Sequence, residues 1–252
     1  MAQLTVIITT LNEESNIQRV LDSVFFADEI IVVDSFSTDK TVDIIKKNKV
    51  RLLQRKFDNF SAQKNYAIKK ALHDWILVVD ADEVVTDQLR QSIVKAIEKP
   101  ANFLAFKVYR KNFVKDKKLV FGGFTDKIIR LFKKQQSIYQ GIVHEKIVVD
   151  GKVGFLKGNL NHYTYQSAIQ FKNKLNYYAK LRAIELFKSN KKVNMYHIYV
   201  KPAARFCIHF FLKFGFLDGK NGLLFSYFMA YGVAKRFDSL ITLQQLKNED
   251  RI

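Results

Sequence analysis

A single cysteine, Cys207, stands in the 252 residues, so the chain holds no intramolecular disulfide and no cysteine-based zinc site; a reducing compartment fits. Prolines number only two, Pro100 and Pro202, too few for a proline-rich linker, and they read as punctuation between segments. The first ten residues lack a basic stretch followed by an apolar run and a small-residue cleavage site, so no secretory signal is expected. No apolar run reaches the ~20 residues of a membrane-spanning helix. Gly222 to Ala234 is uncharged but short, and Lys201, Pro202, Arg205, His209 and Lys213 interrupt the aromatic stretch from Tyr196 to Leu217. Internal repeats, low-complexity segments and recognisable RNA- or DNA-binding motifs are also missing.

What is present is a globular composition, 48% hydrophobic and 26% charged, enough for one large core with an appended segment. The formal net charge of +18 is unevenly spread: residues 1–150 carry +6 and residues 151–252 carry +12. Such an excess fits a polyanionic partner, either nucleic acid or an anionic membrane leaflet, or simply lysine-rich solvated faces.

Strand and helix signals alternate through the first hundred residues. Leu4 to Thr9, Glu29 to Asp34, Val50 to Leu53 and Trp75 to Asp80 are apolar, β-branched runs. Between them, Ser15 to Val24 carries Ile17, Val20, Leu21 and Val24 at helical spacing. Thr38 to Lys47 follows a Ser37-Thr38-Asp39 capping cluster. Ser61 to Leu72 can present Ala62, Tyr66, Ala67 and Ala71 on one face, and Thr86 to Lys99 is a capped helix before Pro100. Apolar strands separated by helices predict a mostly parallel sheet covered on both faces. From 103 to 156 the pattern changes to short strands (103–109, 127–132, 145–149), with a loop at Gly122-Gly123 and a hairpin turn at Asp150-Gly151. Helices are expected over 166–189, 195–215 and 219–237.

Ligands of such sheets sit outside the carboxyl ends of the strands. Three strands end there in polar residues: Thr10-Leu11-Asn12-Glu13, Asp34-Ser35 and Asp80-Ala81-Asp82-Glu83. Two carboxylates one residue apart, Asp80 and Asp82, can face one divalent ion, Mg²⁺ or Mn²⁺, that bridges to a diphosphate. The alternative is a solvated turn with a cap near Thr86. Thr10, Asn12 and Glu13 can present polar groups to a base, and Asp34 can accept from a ring N–H or a ribose hydroxyl. Acids clustered at strand ends do not account for nucleic-acid binding. A nucleotidyltransferase, the other alternative, more often has a glycine-rich basic loop after its first strand, and TTLNEESN has none.

In order and spacing, TVIITTLNEE, EIIVVDSFSTDKT and WILVVDADE resemble the nucleotide-sugar-binding half of the family 2 inverting glycosyltransferases, which have the GT-A fold. Phe60-Ser61-Ala62-Gln63-Lys64-Asn65-Tyr66-Ala67, Val143-His144-Glu145 and Phe214-Gly215-Phe216-Leu217-Asp218-Gly219-Lys220-Asn221-Gly222 resemble the branch that includes the lipopolysaccharide-core β-1,4-glucosyltransferases. The likeness covers roughly residues 3–235. It implies an α/β fold with a GT-A-type, Rossmann-like, mostly parallel sheet flanked by helices and a C-terminal helical extension. It implies a catalytic domain over 1–165, with a nucleotide-sugar half over about 1–100 and an acceptor half over about 101–165, followed by a helical segment over 166–252. Asp80 and Asp82 match the metal and diphosphate carboxylates, with Asp82 as the direct ligand. Thr10, Asn12, Glu13 and Asp34 match nucleotide contacts, although many relatives have two consecutive acids where this chain has Asp34-Ser35. Lys64 matches a basic position near the nucleotide or diphosphate, or lies on a solvated face with Lys69 and Lys70.

Inverting transfer needs a general base for the acceptor hydroxyl. Glu145 is the expected base, with His144 and Asp126 as alternatives; Asp116 reads as solvated and Asp150 as a turn residue. The implied donor is UDP-glucose and the implied acceptor a lipopolysaccharide-core sugar or other glycolipid. No nucleic-acid partner is expected. The basic, aromatic C-terminal helices are expected to lie on an anionic membrane surface, at the cytoplasmic face of the inner membrane.

Overall fold

A computed structural model describes residues 2–114, 117–121, 125–141, 145–165 and 168–248. His144, the Gly122-Gly123 loop and Asp116 lie outside the described residues. The chain divides into two compact units, Met1–Lys111 with Thr125–Tyr163, and Asn112–Phe124 with Thr164–Ile252.

The first unit opens with β1 (Leu4–Thr10), α1 (Ile17–Val24), β2 (Glu29–Asp34), α2 (Thr41–Lys46), β3 (Arg51–Gln54), α3 (Phe60–Lys70) and β4 (Trp75–Asp80). After β5 (Glu83–Val85) and α4 (Asp87–Glu98) the long strands β6 (Phe103–Val114), β8 (Thr125–Lys133) and β11 (Lys152–Tyr165), with the two-residue β7 (Lys117–Lys118) paired to the end of β6, complete the sheet. Its order is β3-β2-β1-β4-β8-β6-β11-β5. The pairs β1–β2, β1–β4 and β2–β3 are parallel, whereas β8 runs antiparallel to both β4 and β6. This is the expected α/β architecture, a parallel block flanked by helices and followed by a helical C-terminal segment.

Alternation along the strands sorts the core onto two faces. Val6, Ile8, Val32 and Leu77 pack with Ile17, Val20, Leu21 and Val24 of α1 and Leu89, Ile93 and Ile97 of α4. Ile7, Ile31, Ile76 and Val78 pack on the other face with Ala67 and Ile68 of α3. Each fully buried aliphatic side chain here stabilises the fold by about 2 kcal/mol.

Three local features differ from expectation. Ser37 and Thr38 do not cap α2, which starts only at Thr41; they are drawn into hydrogen bonds with the loop after β1, whereas Asp39 serves both, one oxygen accepting from Thr41 N–H (3.0 Å) at the helix start and the other from Glu14 N–H (3.1 Å). The buried face of α3 is Ser61, Gln63, Lys64, Ala67 and Ile68, so Lys64 points inward while Lys69 and Lys70 remain exposed. Asp150-Gly151 is a turn, but the strands on either side do not pair with each other. β10 (Lys146–Val149) pairs with β9 (Ser137–Gln140) in a separate two-stranded sheet. That small sheet is tied to α3: Asn65 Nδ2 donates to the Tyr139 carbonyl (2.9 Å) and Tyr139 N–H donates to Asn65 Oδ1 (3.0 Å).

The second unit is built on α5 (Ala168–Lys188), α6 (Lys201–Cys207) and α7 (Gly219–Asn248). Wide π-type turns at Tyr196–Val200 and Ile208–Leu212 flank α6, and α7 extends past the expected end. Phe171 of α5 packs on Phe225 and Phe228 of α7 together with Leu119; Ala183, Phe237 and Leu240 form a second cluster. Among the described residues no helix is long and apolar enough to cross a membrane.

Candidate active site

Strand register decides which polar residues meet. Thr10 pairs with Asp34 and Thr9 with Asp80, so the ends of β1, β2 and β4 bring Thr10, Asn12, Glu13, Asp34 and Asp80 to one sheet edge. The Asp34 carboxylate is fully buried and accepts from Ser37 N–H (3.1 Å), Ser37 Oγ–H and Gln54 Nε2 (3.1 Å). Asn12 adopts a left-handed backbone (φ 55°), which asparagine tolerates better than most residues. In that conformation its N–H donates to Ser37 Oγ and its side-chain oxygen accepts from Thr38 N–H, each at 2.8 Å. Glu13 N–H donates to Thr41 Oγ1 (2.8 Å). Side chains thereby lace the loops after β1 and β2 into one wall. Thr10 Oγ1 is buried in that wall with no partner among the described residues, a polar atom suited to a bound ligand.

Beside the wall lies a chain of alternating charges. Asp126 accepts from Arg110 Nη2 (2.8 Å), and Arg110 Nη1 lies 3.4 Å from Glu83. Glu83 and Asp80 both accept from Arg130 Nη2 at 2.6 Å. Asp80 Oδ1 then lies 3.2 Å from Lys64 Nζ, which donates to Glu145 Oε1 at 2.7 Å. Four acids and three cations thus form one path from Asp126 to Glu145, with net charge −1. Arg130 enters it through a β-bulge: Phe106 pairs with Leu131 but Lys107 with Ile129, leaving Arg130 as the extra residue of β8.

Burial would lower the Lys64 ammonium, but Asp80 beside it pulls it above its usual value. Burial would raise the Asp80 carboxyl, yet Arg130 and Lys64 hold it well below the usual carboxylate range. Burial raises the phenol of Tyr139, whose ring lies 5.3 Å from Lys64 Nζ and whose hydroxyl is buried without a partner among the described residues. Lys64 is therefore a buried structural cation, shared between Asp80 and Glu145.

Asp82 has a different neighbour. His162 Nε2 lies 3.2 Å from Asp82 Oδ2, held there because His162 pairs with Glu83 across β11–β5 and Tyr163 N–H donates to the Asp82 carbonyl (2.8 Å). A carboxylate oxygen and an imidazole nitrogen are a donor pair that suits Mn²⁺ and related divalent ions. Among the described residues no three His, Cys, Asp or Glu side chains converge as a metal cage. Asp80, whose two oxygens face Lys64 and Arg130, is less available as a direct ligand.

Of the acids considered for proton abstraction, Glu145 is 18% exposed and paired with Lys64, while Asp126 is 48% exposed and paired with Arg110. Sequence reasoning missed Arg110, Arg130 and His162, and it placed Glu83 at the strand end without a role. A lone arginine within the apolar run KIIRLF was the available signal for Arg130. Nothing local marks His162, whose partner lies far away in the chain.

Residues 5–149 match the family model for glycosyl transferase family 2. The chain is 30% identical to an uncharacterized glycosyltransferase of Rickettsia typhi, over 100% of this chain and 90% of the relative. It is 24% identical to the lipopolysaccharide core biosynthesis glycosyltransferase LpsC of Rhizobium meliloti, over 92% of each chain. Among solved structures, the fold is similar to the mannosyltransferase PcManGT of Pyrobaculum calidifontis in complex with GDP-Man and Mn²⁺. The TM-score is 0.54 at 15% identity, over 94% of this chain and 87% of that one.

Proposed function

Because the chain belongs to glycosyl transferase family 2 and is a glycosyltransferase, we propose that it transfers a hexose, glucose from UDP-glucose, with inversion onto a lipopolysaccharide-core or other glycolipid acceptor. The observation that carries this reading is the meeting of Thr10, Asp34 and Asp80 at one sheet edge, with Asp82 and His162 as a donor pair. Relatedness to LpsC supports the glycolipid class of acceptor.

On this reading the wall of Thr10, Asn12, Glu13 and Asp34 binds the nucleoside, within a nucleotide-sugar half over about 1–100. Asp82 and His162 would hold a divalent cation, Mn²⁺ or Mg²⁺. When bound, that cation supplies positive charge to the departing diphosphate. Asp80 is fixed as a carboxylate by Arg130 and Lys64, and it orients the donor from a position that cannot drift. Glu145, in the acceptor half over about 101–165, takes the acceptor hydroxyl proton as that oxygen attacks the anomeric carbon. Asp126 and His144 are the other acceptor-half groups able to take that role. The helical segment over 166–252, with its +10 charge, keeps the enzyme peripheral at an anionic membrane, on the cytoplasmic face.

The test is a panel of UDP- and GDP-sugars with Mn²⁺ or Mg²⁺ and truncated lipopolysaccharide acceptors, read by nucleoside diphosphate release and by product mass. UDP-glucose with a divalent ion is expected to give a β-linked product. Turnover of other sugar nucleotides but not UDP-glucose overturns the donor assignment. Full activity in a metal chelator overturns the cation's role.

A further inference from the structure

We propose that the corner between α6 and α7 is a docking surface for an anionic phospholipid bilayer. The inference gives a location to the membrane association proposed above and rests on that reading only for its biological purpose.

Phe211, Leu212, Phe214, Phe216 and Leu217 are all exposed there, Leu212 to 73%. The phenylalanine rings connect through the half-buried Phe210: Phe210–Phe211 centroids lie 5.0 Å apart, Phe210–Phe216 6.2 Å and Phe214–Phe216 6.2 Å. An apolar cluster of this kind at the surface marks an interaction site.

The corner is a formed structure. Lys213 N–H donates to the Ile208 carbonyl (2.9 Å), Phe214 N–H to that of Phe211 (3.1 Å) and Leu217 N–H to that of Phe214 (3.0 Å). Phe214 sits at φ 58°. A Cβ at Gly222 would stand 1.8 Å from the Gly215 carbonyl oxygen, so only glycine lets α7 approach this closely. Backbone thus fills the inside of the corner, and the large side chains are left on its outer side.

Charge selects the partner. Residues 186–217 contain six Lys or Arg and no Asp or Glu. Arg205, Lys213 and Lys220, which precede, interrupt and follow the apolar residues in sequence, are exposed. The next acid, Asp218, is turned to backbone, accepting from Val120 N–H (3.2 Å) and Phe121 N–H (2.9 Å). Exposed apolar side chains with exposed cations interleaved and flanking them in sequence suit the boundary between anionic headgroups and acyl chains. A symmetric contact between two copies would instead set these cations against one another.

Cys207, the chain's single cysteine, is exposed on α6 and four residues before Phe211, so a polarity-sensitive fluorophore can be attached without engineering. The labelled 252-residue chain is titrated with phosphatidylglycerol–phosphatidylethanolamine vesicles and with phosphatidylcholine vesicles, without donor or acceptor. Unlabelled protein is followed by co-sedimentation. Blue-shifted emission and sedimentation are expected with the anionic vesicles alone, weakened at least about tenfold by F211S/L212S and similarly by about 1 M salt. Lys213→Glu, a second exposed change, is expected to weaken binding several-fold. Equal binding by F211S/L212S and the parent, or no binding to anionic vesicles, overturns the proposal. So does concentration-dependent dimerisation that F211S/L212S abolishes while vesicle binding is absent. Sugar-nucleotide turnover on a water-soluble acceptor is scored separately, so failure of docking and failure of the transferase reading give different results.

Discussion

Lys64 donates to Glu145 at 2.7 Å across 81 residues of sequence, and the same ammonium lies 3.2 Å from Asp80. One buried cation therefore couples the carboxylate at the end of β4 to the carboxylate proposed as base. Lys64→Met removes that cation while keeping side-chain volume. It is expected to lower stability by about 3 kcal/mol, because a carboxylate is left without its counter-ion. Urea denaturation checks the loss; a variant as stable as the parent contradicts the coupling.

Arg130 holds Asp80 and Glu83 through one nitrogen. Lysine keeps the charge but loses the planar fork. Arg130→Lys is expected to fold and to lose about a hundredfold in kcat, as misplacement of a positioning group by about 1 Å does. Donor KM should change much less. Steady-state kinetics with varied donor separate the two.

Removing either member of the Asp82–His162 pair should abolish ion-dependent nucleotide binding and leave the fold intact. In the parent, Mn²⁺ with UDP is expected to raise the melting temperature through mass action. Asp82→Ala and His162→Ala are expected to keep their own melting temperatures within a few degrees of the parent and to lose that Mn²⁺-dependent increment. An unchanged increment in both variants removes the pair from the cation site.

Glu145→Gln is expected to cut kcat by about a hundredfold or more with donor KM nearly unchanged, the mark of a group that moves a proton. Asp126→Asn is the matched control. Should the larger loss fall on Asp126→Asn, the base is Asp126.

The shifts at Asp80 and Lys64 set a pH window for the metal-free protein. The Asp80 pKa is depressed in the fold, so its contribution is complete above the unfolded value of about 4 and fades as pH falls through the folded one. Lys64 is raised, so its contribution is complete below the unfolded value of about 10.4 and fades as pH rises through the folded one. Neither group titrates between about pH 5 and pH 9. Denaturation midpoints of the parent and of Lys64→Met should therefore keep a constant difference across that range.

Much of the fold was legible because β1, β2 and β4 are apolar and end in polar residues, the pattern of buried parallel strands. The face of α1 was legible from Ile17, Val20, Leu21 and Val24, all now buried. Lys64 was harder: a lysine beside Lys69 and Lys70 reads equally well as solvated, and only its two distant carboxylates make burial tolerable. Ser37 and Thr38 looked like helix caps because their local chemistry is that of caps, but long-range partners across the β1 loop claim them, while Asp39 both accepts from Thr41 N–H at the start of α2 and reaches Glu14 of that loop. His162 and Arg110 were invisible because each acquires its role from pairing between strands remote in sequence.

The extra residue at Arg130 has a consequence for how this chain can vary. Excising it would leave the pairs Phe106–Leu131 and Lys107–Ile129 able to close up as an ordinary ladder, with no loop to absorb the change. A hydrophobic replacement would likewise look harmless in such an apolar stretch. Either edit would leave a well-built sheet with two acids, Asp80 and Glu83, bereft of their common guanidinium. A protein so altered can be soluble, cooperative in melting and inert, and a gap or an aliphatic residue at this one position is where a related sequence should be inspected first.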